Sequence, residues 1–155
     1  MGARLAIAAL VVVLDQASKL AALRLLQPYQ SLPVLPDLFN LTLAFNRGAS
    51  FSFLSEAGGW QRWLFSGVSI VASAVIIVLL RRTPRSERLN GIGLALVLGG
   101  AVGNLVDRLR FGHVIDFLDF YYRAWHFPAF NVADTAITVG AALLVLGIGR
   151  QAGRH

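Results

Sequence analysis

The chain has 155 residues, of which 56% are hydrophobic and 14% charged, with a formal net charge of +6 and no cysteine. This is too apolar for an ordinary soluble domain of the same length, and it excludes a disulfide framework, a thiol nucleophile and a cysteine-ligated metal. The basic excess does not form a nucleic-acid patch on a soluble fold either, because most of the arginines flank apolar runs.

Four runs predict membrane-spanning helices, at about 5–26, 63–80, 89–106 and 132–149. A hydrocarbon core of about 30 Å needs around 20 helical residues at about 1.5 Å each, so the first run fits easily and the last only just. The first begins behind Arg4 as a signal peptide does, but Asp15 and Lys19 interrupt "VVVLDQASKLAAL", so it is read as a retained span. Asp15 and Lys19 stand at i and i+4 with the acid N-terminal, the order that favours an ion pair along a helix. Such a pair either orients helices or supports a polar cavity. In both readings charged groups at this depth demand polar partners inside the protein.

The segment that follows is β-rich over about 31–57. In "DLFNLTLAF" the residues Phe39, Leu41, Leu43 and Phe45 fall on one side of a strand, and Asn40 and Thr42 on the other. "NRG" signals a turn and "ASFSF" resumes the alternation, which predicts a small extracytoplasmic sheet or hairpin on the membrane surface. In the third run Gly99 and Gly103 lie four apart, a spacing that lets another helix approach closely. Asn104, Asp107 and Arg108 continue that face and must point at protein or water. The next segment, "FGHVIDFLDFYYRAWHFPAF", is dense in aromatic rings and predicts an interfacial loop in the headgroup zone.

Arg4, Arg81, Arg82, Arg85, Arg88, Arg150 and Arg154 share one side of this topology with a single acid, Glu87. By the positive-inside rule both termini and the "RRTPRSER" loop are cytoplasmic, and segments 27–62 and 107–131 lie outside. The expected fold is an all-α membrane protein, a four-transmembrane-helix bundle with a small extracytoplasmic β-sheet or cradle and an interfacial loop. It forms a single domain over 1–155, taken as a monomer among membrane lipids.

Asp116, just past the third run, and Asp134, in the first turn of the fourth, should meet near the outer face of the bundle. Two carboxylates at close range cannot both ionise cheaply, so one keeps a proton while the other is anionic. Together they supply an acid and a base for attack by water on a carbonyl. The helix dipole favours Asp134 as the anion. Other readings stay open at this point: a helix-capping role for Asp134, a solvated interfacial role for Asp116, and Asp119 as a rival to Asp116. Serine hydrolysis lacks a G-x-S-x-G element, and metal ligation by His113, Asp116 and His126 lacks an H-E-x-x-H element. No metal or cofactor is expected. A transporter would place its key acid near the bilayer middle, where only Asp15 lies.

Five ordered blocks, "DQASK" at 15–19, "NRGASFS" at 46–52, "GNLVDR" at 103–108, "GHVIDF" at 112–117 and "FNVADT" at 130–135, carry a resemblance. The chain resembles the lipoprotein signal peptidases (signal peptidase II, prolipoprotein signal peptidase), bacterial inner-membrane aspartic peptidases. The resemblance implies an endopeptidase that removes the signal peptide of a prolipoprotein just before a cysteine bearing a diacylglyceryl group. It maps the family's catalytic aspartates onto Asp116 and Asp134, which makes Asp119 the lesser candidate. It maps other polar motif residues, for substrate binding or active-site support, onto Asp15, Lys19, Asn46, Gly48, Asn104, Asp107, Arg108 and Asn131. The implied site lies near the periplasmic face.

Overall fold

The computed structural model describes residues 1–48 and 59–152, with side chains through residue 149. The helices are α1 (Gly2–Leu25), α2 (Gln61–Arg82), α3 (Arg88–Phe111) and α4 (Val132–Ala152), and each contains a stretch long and apolar enough to cross a membrane. Large apolar side chains such as Val13, Leu14, Val71, Val75, Val145 and Leu146 point outward. That is the polarity expected of a bundle surrounded by hydrocarbon, where the helix itself satisfies the backbone.

The third helix is the axis of the bundle. It packs against α1, α2 and α4, and half of its most apolar stretch is buried, against 28, 17 and 22% for those three. Its glycines make this possible. A Cβ on Gly99 would lie 2.7 Å from the Ala8 carbonyl oxygen, and one on Gly103 would lie 2.6 Å from Asp15 Oδ2. The pair expected to permit close helix approach therefore brings α3 onto α1. At one end of the bundle Arg4 donates to the carbonyls of Thr83 at 2.7 Å and Pro84 at 2.6 Å, fastening the start of α1 to the α2–α3 turn.

The other end carries an antiparallel sheet, β1 (Ser31–Leu35), β2 (Phe39–Asn46), β3 (Val114–Tyr122) and β4 (Trp125–His126), in that spatial order. Leu43, Ile115 and Phe117 pack on Ala22 and Leu26 at the end of α1, so the sheet's apolar face sits on the bundle. Asn40 and Thr42 point the other way and both bond Asp119, as the alternation in β2 predicts. The second outer segment differs from expectation. It folds not as a loop but largely as strand β3, which lies between β2 and β4. The expected resumption of strand pattern in "ASFSF" lies outside the described residues, and the partners observed for β2 are β1 and β3.

Two junctions aim the functional segments. Gly112 closes α3 with φ of 79°, a left-handed conformation that costs glycine little, and β3 starts two residues later. Ahead of α4, the amides of both Phe117 and Leu118 donate to the Phe130 carbonyl, at 3.0 and 2.9 Å, and Phe130 N–H donates to Leu118 at 3.0 Å. Two successive amides on one carbonyl mark a β-bulge, which breaks the alternation along β3 and re-aims its side chains.

Candidate active site

The entry to α4 is built around Asn131. It is wholly buried and occupies the N-cap position, where its Oδ1 accepts the Asp134 N–H at 2.9 Å. The cap of α4 is thus Asn131, and Asp134, three residues on, is free for another role. The Asn131 side-chain amide donates to Asp116 Oδ1 at 2.7 Å and to Asn104 Oδ1 at 3.2 Å. Asn104 in turn donates to Asp134 Oδ1 at 2.8 Å. Two asparagines therefore link the carboxylates of Asp116 and Asp134, which are 18 positions apart in the chain.

Both carboxylates line one cavity of about 1050 Å³. It extends from Ala44, Asn46 and Arg47 at the sheet to Ile137, Thr138 and Val139 along α4, joining a polar end to an apolar wall. Burial, reinforced by the charge of Asp134, pushes the Asp116 carboxyl from its usual 3.8 up to about 7, although hydrogen bonds from Asn131 and Asn46 act in the opposite sense. Between these values the folded chain holds a proton that the unfolded chain has released, so the contribution of Asp116 to stability falls as pH rises across that window. At 1.36 kcal/mol per pH unit the whole interval corresponds to about 4 kcal/mol. Asp116→Asn is accordingly expected to match the parent in thermal unfolding near pH 4 and to unfold at a higher temperature above pH 7. A variant that gains nothing at alkaline pH would contradict this cost of burial.

Beneath the two carboxylates lies a buried ionic cluster. Lys19 Nζ is 2.8 Å from Asp15 Oδ2, 2.7 Å from Asp107 Oδ2 and 3.0 Å from Asn104 Oδ1. Asp15 Oδ1 accepts the Ala133 N–H at 2.9 Å, and Asp107 Oδ2 accepts the Ile115 N–H at 3.1 Å. The cluster grips the start of α4 and the start of β3, one residue before each of the paired aspartates. Arg108 interacts electrostatically with Asp134, Asp116 and Asp107, and its guanidinium lies over the Phe65 ring at 5.4 Å. Asn46 ends β2 facing the cavity, and its Oδ1 accepts the Gly48 N–H at 3.1 Å, forming the turn that "NRG" signals.

The residues that the resemblance assigns to the site therefore come together, apart from Gly48, whose described role is in the turn. Sequence reasoning missed Gln16, which donates to Asp107 Oδ1 at 2.8 Å and to Asp15 Oδ2 at 3.2 Å. Its signal was present, as an amide beside Asp15 in an apolar run. Asp119 is also in the cavity lining, with Asn40, Thr42 and His126 as its partners. His113 stands elsewhere, its ring 4.7 Å from Phe45, and burial together with the Arg47 charge lowers its basicity.

Comparisons with known proteins agree with this architecture. Solved structures described as bacterial membrane enzymes superpose with TM-scores of 0.89 and 0.83, at 27 and 28% identity, covering 99 and 96% of this chain and 92 and 93% of theirs. The chain is 54% identical to the lipoprotein signal peptidase of Cupriavidus necator over 97% of its length and 85% of the relative's. It is 54% identical to that of Pseudomonas aeruginosa, over 94% of its length and 86% of the relative's. The family model described as signal peptidase (SPase) II matches residues 7–149. The chain thus belongs to the signal peptidase II family, and is a multi-pass membrane peptidase.

Proposed function

We propose that this peptidase removes the signal peptide of prolipoproteins, cutting immediately before the diacylglyceryl-modified cysteine, with Asp116 and Asp134 as an acid–base pair that activates water. The observation that carries the reading is the Asn131–Asn104 link, which holds two chain-distant carboxylates on one cavity. Asp116, the carboxyl that keeps its proton to about 7, donates a hydrogen bond to the scissile carbonyl. Asp134, at the positive end of α4, takes a proton from water as the oxygen attacks. When the tetrahedral intermediate collapses, the C–N bond breaks and the proton taken by Asp134 passes to the leaving nitrogen. Arg108 lies close enough to both acids to stabilise negative charge developing between them.

The apolar wall of α4 next to this polar end suits a substrate that is itself a membrane helix with a lipid at the cut. Arg4, Arg81, Arg82, Arg85 and Arg88 lie at the end of the bundle opposite the sheet, which supports cytoplasmic termini and a site facing the periplasm of a bacterial inner membrane. Purified protein incubated with a prolipoprotein, with and without the diacylglyceryl group, tests the proposal. The expected product, sequenced by mass spectrometry, begins at the modified cysteine and forms only from the lipidated substrate. Cutting at another bond, or equally well without the lipid, would overturn it.

A further inference from the structure

The cavity contains a second polar group that the proposed chemistry does not use. Asp119 is 5% exposed, and its Oδ2 accepts hydrogen bonds from Asn40 at 3.2 Å and Thr42 at 3.3 Å. Both of its oxygens lie 3.0 Å from His126 Nδ1. Strict alternation along β3 would put Asp116 and Asp119 on opposite faces. The bulge at Phe117 and Leu118, with the register shift between Leu41 and Ala44 of β2, brings both to the same cavity.

His126 lines the cavity beside Asp119. Its side chain is 52% exposed, yet its ring is held on two sides, at Nδ1 by Asp119 and on its face by Tyr121, stacked at 5.2 Å and 12°. Tyr121 is itself fixed, because its hydroxyl accepts the Asp37 N–H at 2.8 Å. A carboxylate that accepts the Nδ1 proton leaves the neutral ring with a lone pair on Nε2. Among the described residues that nitrogen has no partner. A pre-oriented acceptor on a cavity wall matches an N–H donor.

The direction of the cavity identifies the donor. The apolar wall formed by Ile137 and Val139 lies on the membrane side of Asp134 and suits the apolar signal helix, whereas Thr42, Asp119 and His126 lie on the sheet, beyond the aspartates. We infer that Asp119 and His126 form a second subsite, in which His126 Nε2 accepts a hydrogen bond from a backbone N–H of the substrate chain following the scissile bond. This rests on the peptidase reading above. Asp119 is a positioning residue here, acting through the imidazole.

The test is a chemical double-mutant cycle on lipidated peptide substrates that carry a backbone N-methyl group at one of the first four residues after the modified cysteine. For the parent enzyme one of these positions is expected to lower kcat/KM by about three- to tenfold, the range of a single hydrogen bond. His126→Ala should show the same loss on the unmethylated substrate and no further loss on that methylated one. Asp119→Asn should turn the ring over, giving a protonated Nε2 in the nitrogen NMR spectrum of the labelled histidine together with a similar loss in kcat/KM. Losses that multiply at every position, or a His126→Ala enzyme with native kcat/KM, would overturn the subsite while leaving the peptidase reading standing. Failure of the parent to cut the unmethylated peptide would instead defeat that reading, and the subsite with it.

Discussion

Asp116→Asn and Asp134→Asn are each expected to lower turnover of a lipidated prolipoprotein by roughly 10²–10⁴-fold or more, the range of a lost general acid or base. Asparagine keeps the shape of the carboxylate at both sites. At 116 its oxygen can still accept from Asn131, and at 134 it can still accept from Asn104, so the bridge survives while the proton chemistry does not. The double variant should be little worse than either single one, because residues that act as a unit are not additive. The parent's rate should also fall as pH rises through about 7, since Asp116 then loses the proton it donates. Steady-state kinetics with thermal unfolding as a folding control measure all of this. Native turnover in either single variant, or a rate indifferent to pH between 6 and 9, would sink the proposed division of labour.

The parts of this site that were legible in the sequence are those whose signal survives without knowledge of neighbours. Charged residues inside apolar runs must be buried against partners, so Asp15, Lys19, Asn104 and Asp107 announced a common polar interior, and the structure joins them. The alternation of Asn40 and Thr42 against Leu41 and Leu43 announced the two faces of β2. Strand β3 was hidden because its period is broken. Val114 to Phe117 are consecutively buried, between helix, bundle and β2, and the bulge then shifts the side-chain parity. An aromatic-rich run without alternation reads as an interfacial loop. The same bulge brings Asp119, the alternative to Asp116 in the sequence, onto the cavity wall beside it. The cap of α4 stays open in the sequence for a related reason. Asp134 and Asn131 are both good capping residues, and only the observed Asn131 Oδ1 contact to the Asp134 amide tells which one caps.

Lys19→Met should produce a large loss of stability. The lysine is 1% exposed, and it bonds Asp15, Asp107 and Asn104 at 2.7–3.0 Å. Methionine fills the space of the aliphatic chain but removes the ammonium that lies between two buried carboxylates. Removing one partner of a buried ion pair costs about 3–5 kcal/mol, a large share of the roughly 5–15 kcal/mol that holds a typical fold together. Activity should fall with stability, because Asp15 holds the Ala133 amide and Asp107 holds the Ile115 amide, each one residue before a member of the pair. The triple variant Lys19→Met, Asp15→Asn, Asp107→Asn separates charge from packing. With no unpaired charge left inside, it should recover much of the lost unfolding temperature, since neutral replacement of a buried ion cluster is often nearly free of cost. Cleavage should recover only as far as the neutral amides still hold the Ala133 and Ile115 backbone. Thermal unfolding in detergent, alongside cleavage rate, reads both. An unchanged unfolding temperature for Lys19→Met would show that the cluster does not brace the site, and a triple variant no better than the single one would show that packing, not charge, is what the lysine supplies.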